Sequence, residues 1–193
     1  MYRKFVTEGL VLGKYPVGEA GTIALLLTKN FGLLRAVARS ARRERSKLRY
    51  GIEPLTLARF TLVRGRHEWR LVGVEEVGRT LLAASLARRS ALARIARLLV
   101  RLIQGEETNV ALYTDVIEGF DSLANAQDDV DAASIECILV LRILSHLGYL
   151  SKTPEVGEFL EGDVASLQLA ARAAQQRARL VALINDSLSA SGL

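Results

Sequence analysis

Up to Val74 the apolar residues of this chain come in five short runs; after Gly78 they come at helical spacing. That change of period narrows the fold more than any other feature. The runs at 5–12, 22–28, 32–38, 55–63 and 68–74 are separated by turn formers: Pro16 and Gly18, Asn30 and Gly32, Gly51 and Pro54, Gly65. Arg64-Gly65-Arg66-His67 reads as a tight hairpin turn. In the fourth run Leu55, Leu57, Arg59, Thr61 and Val63 share one face, and Thr56, Ala58, Phe60 and Leu62 the other. Neither face is cleanly polar, as expected of a strand that is curved or covered on both sides. Five such strands in about 75 residues suit a small closed barrel.

Beyond Gly78, Leu92, Ile95, Leu99, Leu102 and Ile103 fall on one helical stripe. Residues 105–109 break it, and Asn109 is placed to cap a helix over 110–123. Asp131 is expected to cap a helix over 132–147, which Gly148 stops. Residues 151–163, with Pro154, Gly157 and Gly162, read as a linker, and a last helix is expected over 164–188. The predicted class is α+β: a barrel domain over 1–79 followed by a helical bundle over 80–193.

Charge is distributed as unevenly as the periodicity. Residues 1–79 hold 16 Lys and Arg against 7 Asp and Glu, a net of +9; residues 80–193 hold 10 against 14, a net of −4. Such a division suggests that one half faces a polyanion. The densest stretch is 39–49, Arg-Ser-Ala-Arg-Arg-Glu-Arg-Ser-Lys-Leu-Arg, lying between two strand-like runs. Cations held on a loop between strands suit a phosphate backbone. Arg35, Arg39, Arg42, Arg43, Arg45, Lys47 and Arg49 are the candidates there. Lys14, Arg64 and Arg66 lie in or near other turns and are expected to share that end of the barrel. Tyr15 and Tyr50, flanked by polar or glycine residues, are the candidates for stacking on bases. Nothing resembles base-edge readout, so little sequence specificity is expected.

A second basic feature, Arg94, Arg97 and Arg101, follows i, i+3, i+7 spacing. It reads first as a solvated helix face. Its functional reading is a dock for an acidic peptide. The single cysteine, Cys137, lies in an apolar run and reads as a buried small hydrophobe. His67 and His146 have no nucleophile in a recognisable elbow beside them, and Asp128, Asp129 and Asp131 lack the ligand series of a calcium loop. There is no phosphate-binding loop or dinucleotide fingerprint. The expectation is a non-enzyme with no metal and no cofactor. The N-terminus lacks a signal-peptide core and no apolar run approaches bilayer length, so a cytoplasmic protein without membrane contact is expected. Two other binding classes fit the same composition: an RNA-binding barrel protein, and a scaffold whose basic half meets an acidic protein.

Several stretches in order resemble the bacterial DNA repair protein RecO family. They are Glu8-Gly9-Leu10-Val11-Leu12, Gly18-Glu19-Ala20, Leu26-Leu27-Thr28 with Gly32 four residues on, and Ala38-Arg39-Ser40-Ala41-Arg42-Arg43. Ser46-Lys47-Leu48-Arg49, Glu53-Pro54, Arg64-Gly65-Arg66, Leu144-Ser145-His146-Leu147-Gly148-Tyr149 and the tail 180–193 continue it. The resemblance implies an oligonucleotide-binding (OB) barrel, a helical C-terminal domain and a recombination mediator. Such a protein binds single- and double-stranded DNA and anneals complementary strands. It engages the acidic tail of single-strand-binding protein and helps load the RecA recombinase with RecR and sometimes RecF, in the nucleoid. The basic stretch 39–49 matches the family's basic segment after the third strand. Ser40 stands where the family commonly has Gly, and Gly21 where a polar residue is usual. Many members carry four cysteines after the Leu-Gly-Tyr stretch; residues 151–163 carry none, which implies no zinc there.

Overall fold

The structure, a computed structural model, describes residues 3–76, 81, 84–164 and 166–190. They fall into two compact units, one of residues 1–83 with 96–113, the other of residues 84–95 with 114–193.

The first unit is built on five strands: β1 (Lys4–Val17), β2 (Gly21–Thr28), β3 (Gly32–Ala38), β4 (Leu57–Arg64) and β5 (Trp69–Glu76). They close in the order β1-β2-β3-β5-β4, with β1 pairing β4 and the remaining closure made by a parallel β3–β5 contact. A short helix, α1 (Leu48–Gly51), lies between β3 and β4. This is the OB architecture, and the expected α+β class holds. Period-two alternation fills the interior: Ala24 and Leu26, Leu34, Ala36 and Ala38, Ala58, Phe60 and Leu62 all face the core. The four-residue β4–β5 turn is closed by the Gly65 amide donating to the Glu68 carbonyl at 2.8 Å.

Two strand boundaries depart from the sequence reading. β1 runs five residues past Leu12, because a bulge between Val11 and Gly13 lets it bend around the barrel and keep pairing with β2 as far as Val17. Lys14 and Tyr15 therefore sit within a strand rather than in a turn. β4 starts two residues after Leu55, which takes a left-handed φ of 68° after Pro54. Its amide donates to the Val11 carbonyl at 2.8 Å and its side chain is buried, and these contacts hold the unfavourable backbone in place.

The helical part comprises α2 (Leu86–Leu102), α3 (Val110–Ala124), α4 (Asp129–His146), α5 (Gly157–Leu160), α6 (Leu167–Gln175) and α7 (Arg177–Ala190). Asn109 caps α3 as expected, its side-chain oxygen accepting from the Leu112 amide at 2.9 Å. The cap of α4 is Asp128, not Asp131. Asp128 accepts from the Asp131 amide at 2.8 Å, and Asp131 reaches back to the Gln127 amide at 3.0 Å, so the two carboxylates share the helix start. Gly148, at φ 78°, ends α4, and the Tyr149 amide returns to the Leu144 carbonyl at 2.8 Å.

The linker over 151–163 contains α5, which buries Phe159 next to the buried Val156. The single helix expected over 164–188 is two, broken at Gln176. Each half presents its own buried residues, Ala170 and Ala173 from α6 and Leu180 from α7, and both halves pack on α4. α4 is the centre of this unit, and its apolar residues are covered on nearly every side.

Within α4, burial pushes the Cys137 thiol up to about 11 and Glu136 adds to the rise, while Arg177 opposes it. A thiol raised in the folded state ionises first in the unfolded chain. Stability is therefore complete below the ordinary thiol range and declines as the pH rises from about 9 towards 11. Tyr113 acts in the same direction at higher pH, since burial and the Glu8 carboxylate push its phenol up to about 12. Iodoacetamide at pH 8 is expected to label Cys137 at least about 100-fold faster in urea than in the folded protein, from the thiolate fraction alone. Equal rates would place the thiol at the surface.

Candidate nucleic-acid interface

β2 reads Ile23-Ala24-Leu25-Leu26-Leu27, apolar on both faces. One face fills the barrel. The other, with alternate residues of β1 and β3, floors a groove of about 590 Å³ on the outside. Ile23, Leu25, Leu33 and Val37 line its apolar part, with Val100 and Ile103 at one side. Tyr15, Arg35, His67, Glu68 and Glu106 supply its polar groups, and Trp69 forms part of its wall. In an OB barrel this outer face of the second and third strands is where oligonucleotides lie. An apolar floor with an aromatic wall accepts base faces, and a guanidinium on it accepts a phosphate.

The basic stretch 39–49 is a series of tight turns rather than a free loop. Arg43 and Ser46 donate to the carbonyls of Ser40 and Arg43 at 3.1 and 3.0 Å, and the Arg49 amide donates to that of Ser46 at 3.2 Å. Ala41 and Ile52 are buried in the barrel core, with Leu48 packed against them, so the backbone is pinned while its charged side chains point outward. Ser40 takes φ 58°, the left-handed region that favours glycine.

The cations of this stretch divide by what holds them. Arg42 donates through Nη2 to the Gly18 carbonyl at 2.6 Å and to that of Glu19, and its amide donates to the Ala20 carbonyl at 3.1 Å. It ties the basic stretch to the β1–β2 turn. Arg39 pairs with Glu68 at 3.4 Å and Lys14 with Glu53 at 2.6 Å. Arg43, Arg45 and Lys47 are exposed and make no ion pair among the described residues. Arg49 is exposed beside Tyr50, its guanidinium 5.9 Å from the ring centre, and Tyr50 is 74% exposed. Arg35 is exposed on the groove.

Arg64 and Arg66 do not lie at the same end of β4 as the basic stretch; they occupy the far, β5 end. The strand tilt of the barrel brings their hairpin beside the end of β3 nonetheless. Ala36 and Val37 pair with Trp69 and Arg70, which is how Arg39 reaches Glu68. Arg66 is exposed and unpaired among the described residues, whereas Arg64 is bound by Glu106 at 2.7 Å. Trp69 belongs to the core, in a cluster with Phe5 and Phe31 at centroid distances of 5.4 and 5.5 Å, so it forms groove wall rather than a free stacking surface.

The family model for the N-terminal part of recombination protein O matches residues 1–78, the stretch that carries the barrel. Relatives named DNA repair protein RecO align well beyond it. The protein of Heliobacterium modesticaldum is 30% identical over 163 residues, 82% of this chain and 58% of its own length. That of a Thermoanaerobacter species is 27% identical over 77% of this chain and 59% of its own length. That of Thermodesulfovibrio yellowstonii is 41% identical over a shorter 59 residues, 31% of this chain and 24% of its own. The chain belongs to the RecO family. Its alignments to the first two relatives span under three fifths of their length.

Arg94, first of the three helix arginines, is held by Glu136 in a two-point contact at 3.0 and 2.7 Å, which raises its pKa above the ordinary range. Arg97 and Arg101 are exposed without an ion pair among the described residues. No helix among the described residues is long and apolar enough to cross a membrane. The sequence reading missed the groove itself. Its signal was present in β2, whose second apolar face exceeds what a barrel interior needs.

Proposed function

We propose that this chain is a recombination mediator that binds single- and double-stranded DNA without sequence preference through its barrel domain, residues 1–79. It anneals complementary strands and, with RecR and in some settings RecF, helps load the RecA recombinase. Its relatives carry the name DNA repair protein. The observation that carries the reading is the set Arg43, Arg45 and Lys47, without an ion pair among the described residues, on a pinned loop of an OB barrel that also has an open groove. Single-strand bases lie in the groove against Tyr15, with Arg35 on a phosphate, and Tyr50 offers a second stacking surface. The free cations, with Arg49 and Arg66, supply the field, and Lys14, Arg39, Arg42 and Arg64 add to it from within their own pairs. Two strands coated by such a surface lose their mutual repulsion, which eases encounter and pairing. Docking of the acidic tail of single-strand-binding protein, with Arg97 and Arg101 as candidate contacts, brings this chemistry to coated DNA.

The test is annealing of two complementary labelled oligonucleotides, bare and then coated with single-strand-binding protein, across a salt series. Faster annealing that weakens with salt is expected in both cases. If about six phosphates are neutralised, single-strand affinity falls with salt at a log–log slope of roughly −4. Binding without annealing would overturn the mediator role, and a clear preference for matched RNA strands would move the reading to RNA.

A further inference from the structure

The segment joining α2 to α3 packs against the barrel beside the groove. Gly32, at φ 62°, lies so close to it that a Cβ there would meet the Glu107 carbonyl oxygen at 2.3 Å. Thr108 donates to the Asn30 carbonyl at 3.0 Å. These contacts fix the backbone at and just after Glu106, whose side chain reaches the groove rim. One carboxylate oxygen accepts from the Trp69 indole Nε1 at 3.0 Å and the other from Arg64 at 2.7 Å. The Arg64 guanidinium lies over the Trp69 ring, 4.8 Å from its centre. A guanidinium that would otherwise face the solvent at an oligonucleotide groove is thus occupied by the chain's own acid.

We propose that Glu106 is an internal stand-in for a backbone phosphate: it holds Arg64 while the groove is empty and is displaced when a single strand enters. This rests on the DNA-binding reading above. Carboxylate and phosphate offer a guanidinium the same pair of acceptor oxygens. The ion pair is solvent-exposed, with 58% of the Arg64 side chain and 43% of the Glu106 side chain accessible, and pairs of that kind are weak. A phosphate of a polyanion competes with an added advantage, because it releases condensed counterions and a carboxylate of the protein does not. The Glu106 charge also repels anions at the rim until it is displaced. The groove therefore admits a strand long enough to engage the neighbouring free cations and resists single small anions.

The test compares Glu106→Gln with Glu107→Gln, which removes the same charge one residue away from an exposed position without an ion pair among the described residues. Glutamine at 106 keeps an acceptor for Trp69 and frees Arg64. Affinity for an oligothymidylate of about 20 residues at physiological salt is expected to rise about 4-fold in E106Q, one phosphate contact's worth, and by less than half that in E107Q. Adding Arg64→Ala to E106Q is expected to abolish the gain. Trp69, the only tryptophan, reports the event directly: its fluorescence is expected to change when the oligonucleotide is added to the wild type and to change less in E106Q. Equal gains in E106Q and E107Q, or a gain that survives Arg64→Ala, overturn the proposal while leaving DNA binding in place. Failure of the wild type to bind the oligonucleotide even at low salt overturns the DNA-binding reading itself, and the stand-in with it.

Discussion

Replacing Arg142 by methionine is expected to lower the unfolding free energy by about 3–5 kcal/mol, the range found when one partner of a buried ion pair is removed. Arg142 sits near the C-terminal end of α4 with 3% of its side chain exposed. Its three nitrogens are all used: Nη1 on the Asp115 carboxylate of α3 at 3.2 Å, Nε on the Phe159 carbonyl at 2.9 Å and Nη2 on the Glu161 carbonyl at 2.9 Å. One side chain therefore fastens two helices and the segment after α4. Methionine keeps the apolar stem, so the loss comes mainly from the guanidinium. It leaves two carbonyls and one oxygen of a carboxylate short of a donor, although His146 still contacts the other oxygen at 2.7 Å. Lysine keeps the charge but not the fork of donors and is expected to fail as well. Adding Asp115→Leu to the methionine variant is expected to recover part of the loss, because the orphaned carboxylate leaves with it. Urea unfolding measures each step, with Tm falling by about 10 °C in R142M. A loss under about 1 kcal/mol would mean that burial of Val156 and Phe159 holds the segment without the arginine.

Neutralising Arg43, Arg45 and Lys47 together is the larger functional perturbation. Each phosphate contact contributes about 0.7 to the salt slope on single strands, so the triple alanine variant should lose about 2 from the slope. Between about 1 M salt, where the contacts are screened out, and 0.15 M, that amounts to about 50-fold in affinity. Annealing is expected to slow with it. The choice of residues follows from their partners. Arg42 belongs to the same basic run, yet its guanidinium and amide serve the carbonyls of Gly18, Glu19 and Ala20. Altering Arg42 would loosen the β1–β2 turn and confuse a fold defect with a binding defect. The triple variant should instead unfold at the wild-type denaturant concentration. Unchanged affinity in it would remove the basic stretch from the interface and leave the groove alone.

How far each feature was legible depended on the distance over which its cause acts. The five strands and the Asn109 and Gly148 helix ends follow from neighbours one to five residues apart, and they form where the sequence places them, apart from the shifted boundaries of β1 and β4. The basic stretch was visible because composition is local. The α4 cap was misassigned by three residues because Asp128 and Asp131 both satisfy the local rule, and only the backbone bend at Asp128 separates them. The break at Gln176 has no proline or glycine to announce it; it arises because two halves of one apolar pattern settle separately on α4.

What the sequence determined by itself was the architecture: periods of two and then of 3.6, the turn residues between them, and a surplus of cations in the first half. Those are properties of short windows and of sums. Tertiary structure alone decided which cations are free. Arg64 meets Glu106 across 42 residues and Arg142 meets Glu161 across 19, pairings that no local period encodes. The groove likewise exists only because the barrel curls a second apolar face of β2 outward beside the end of α2. Charge can be counted along a chain, but its availability is set by which acid the fold brings within reach.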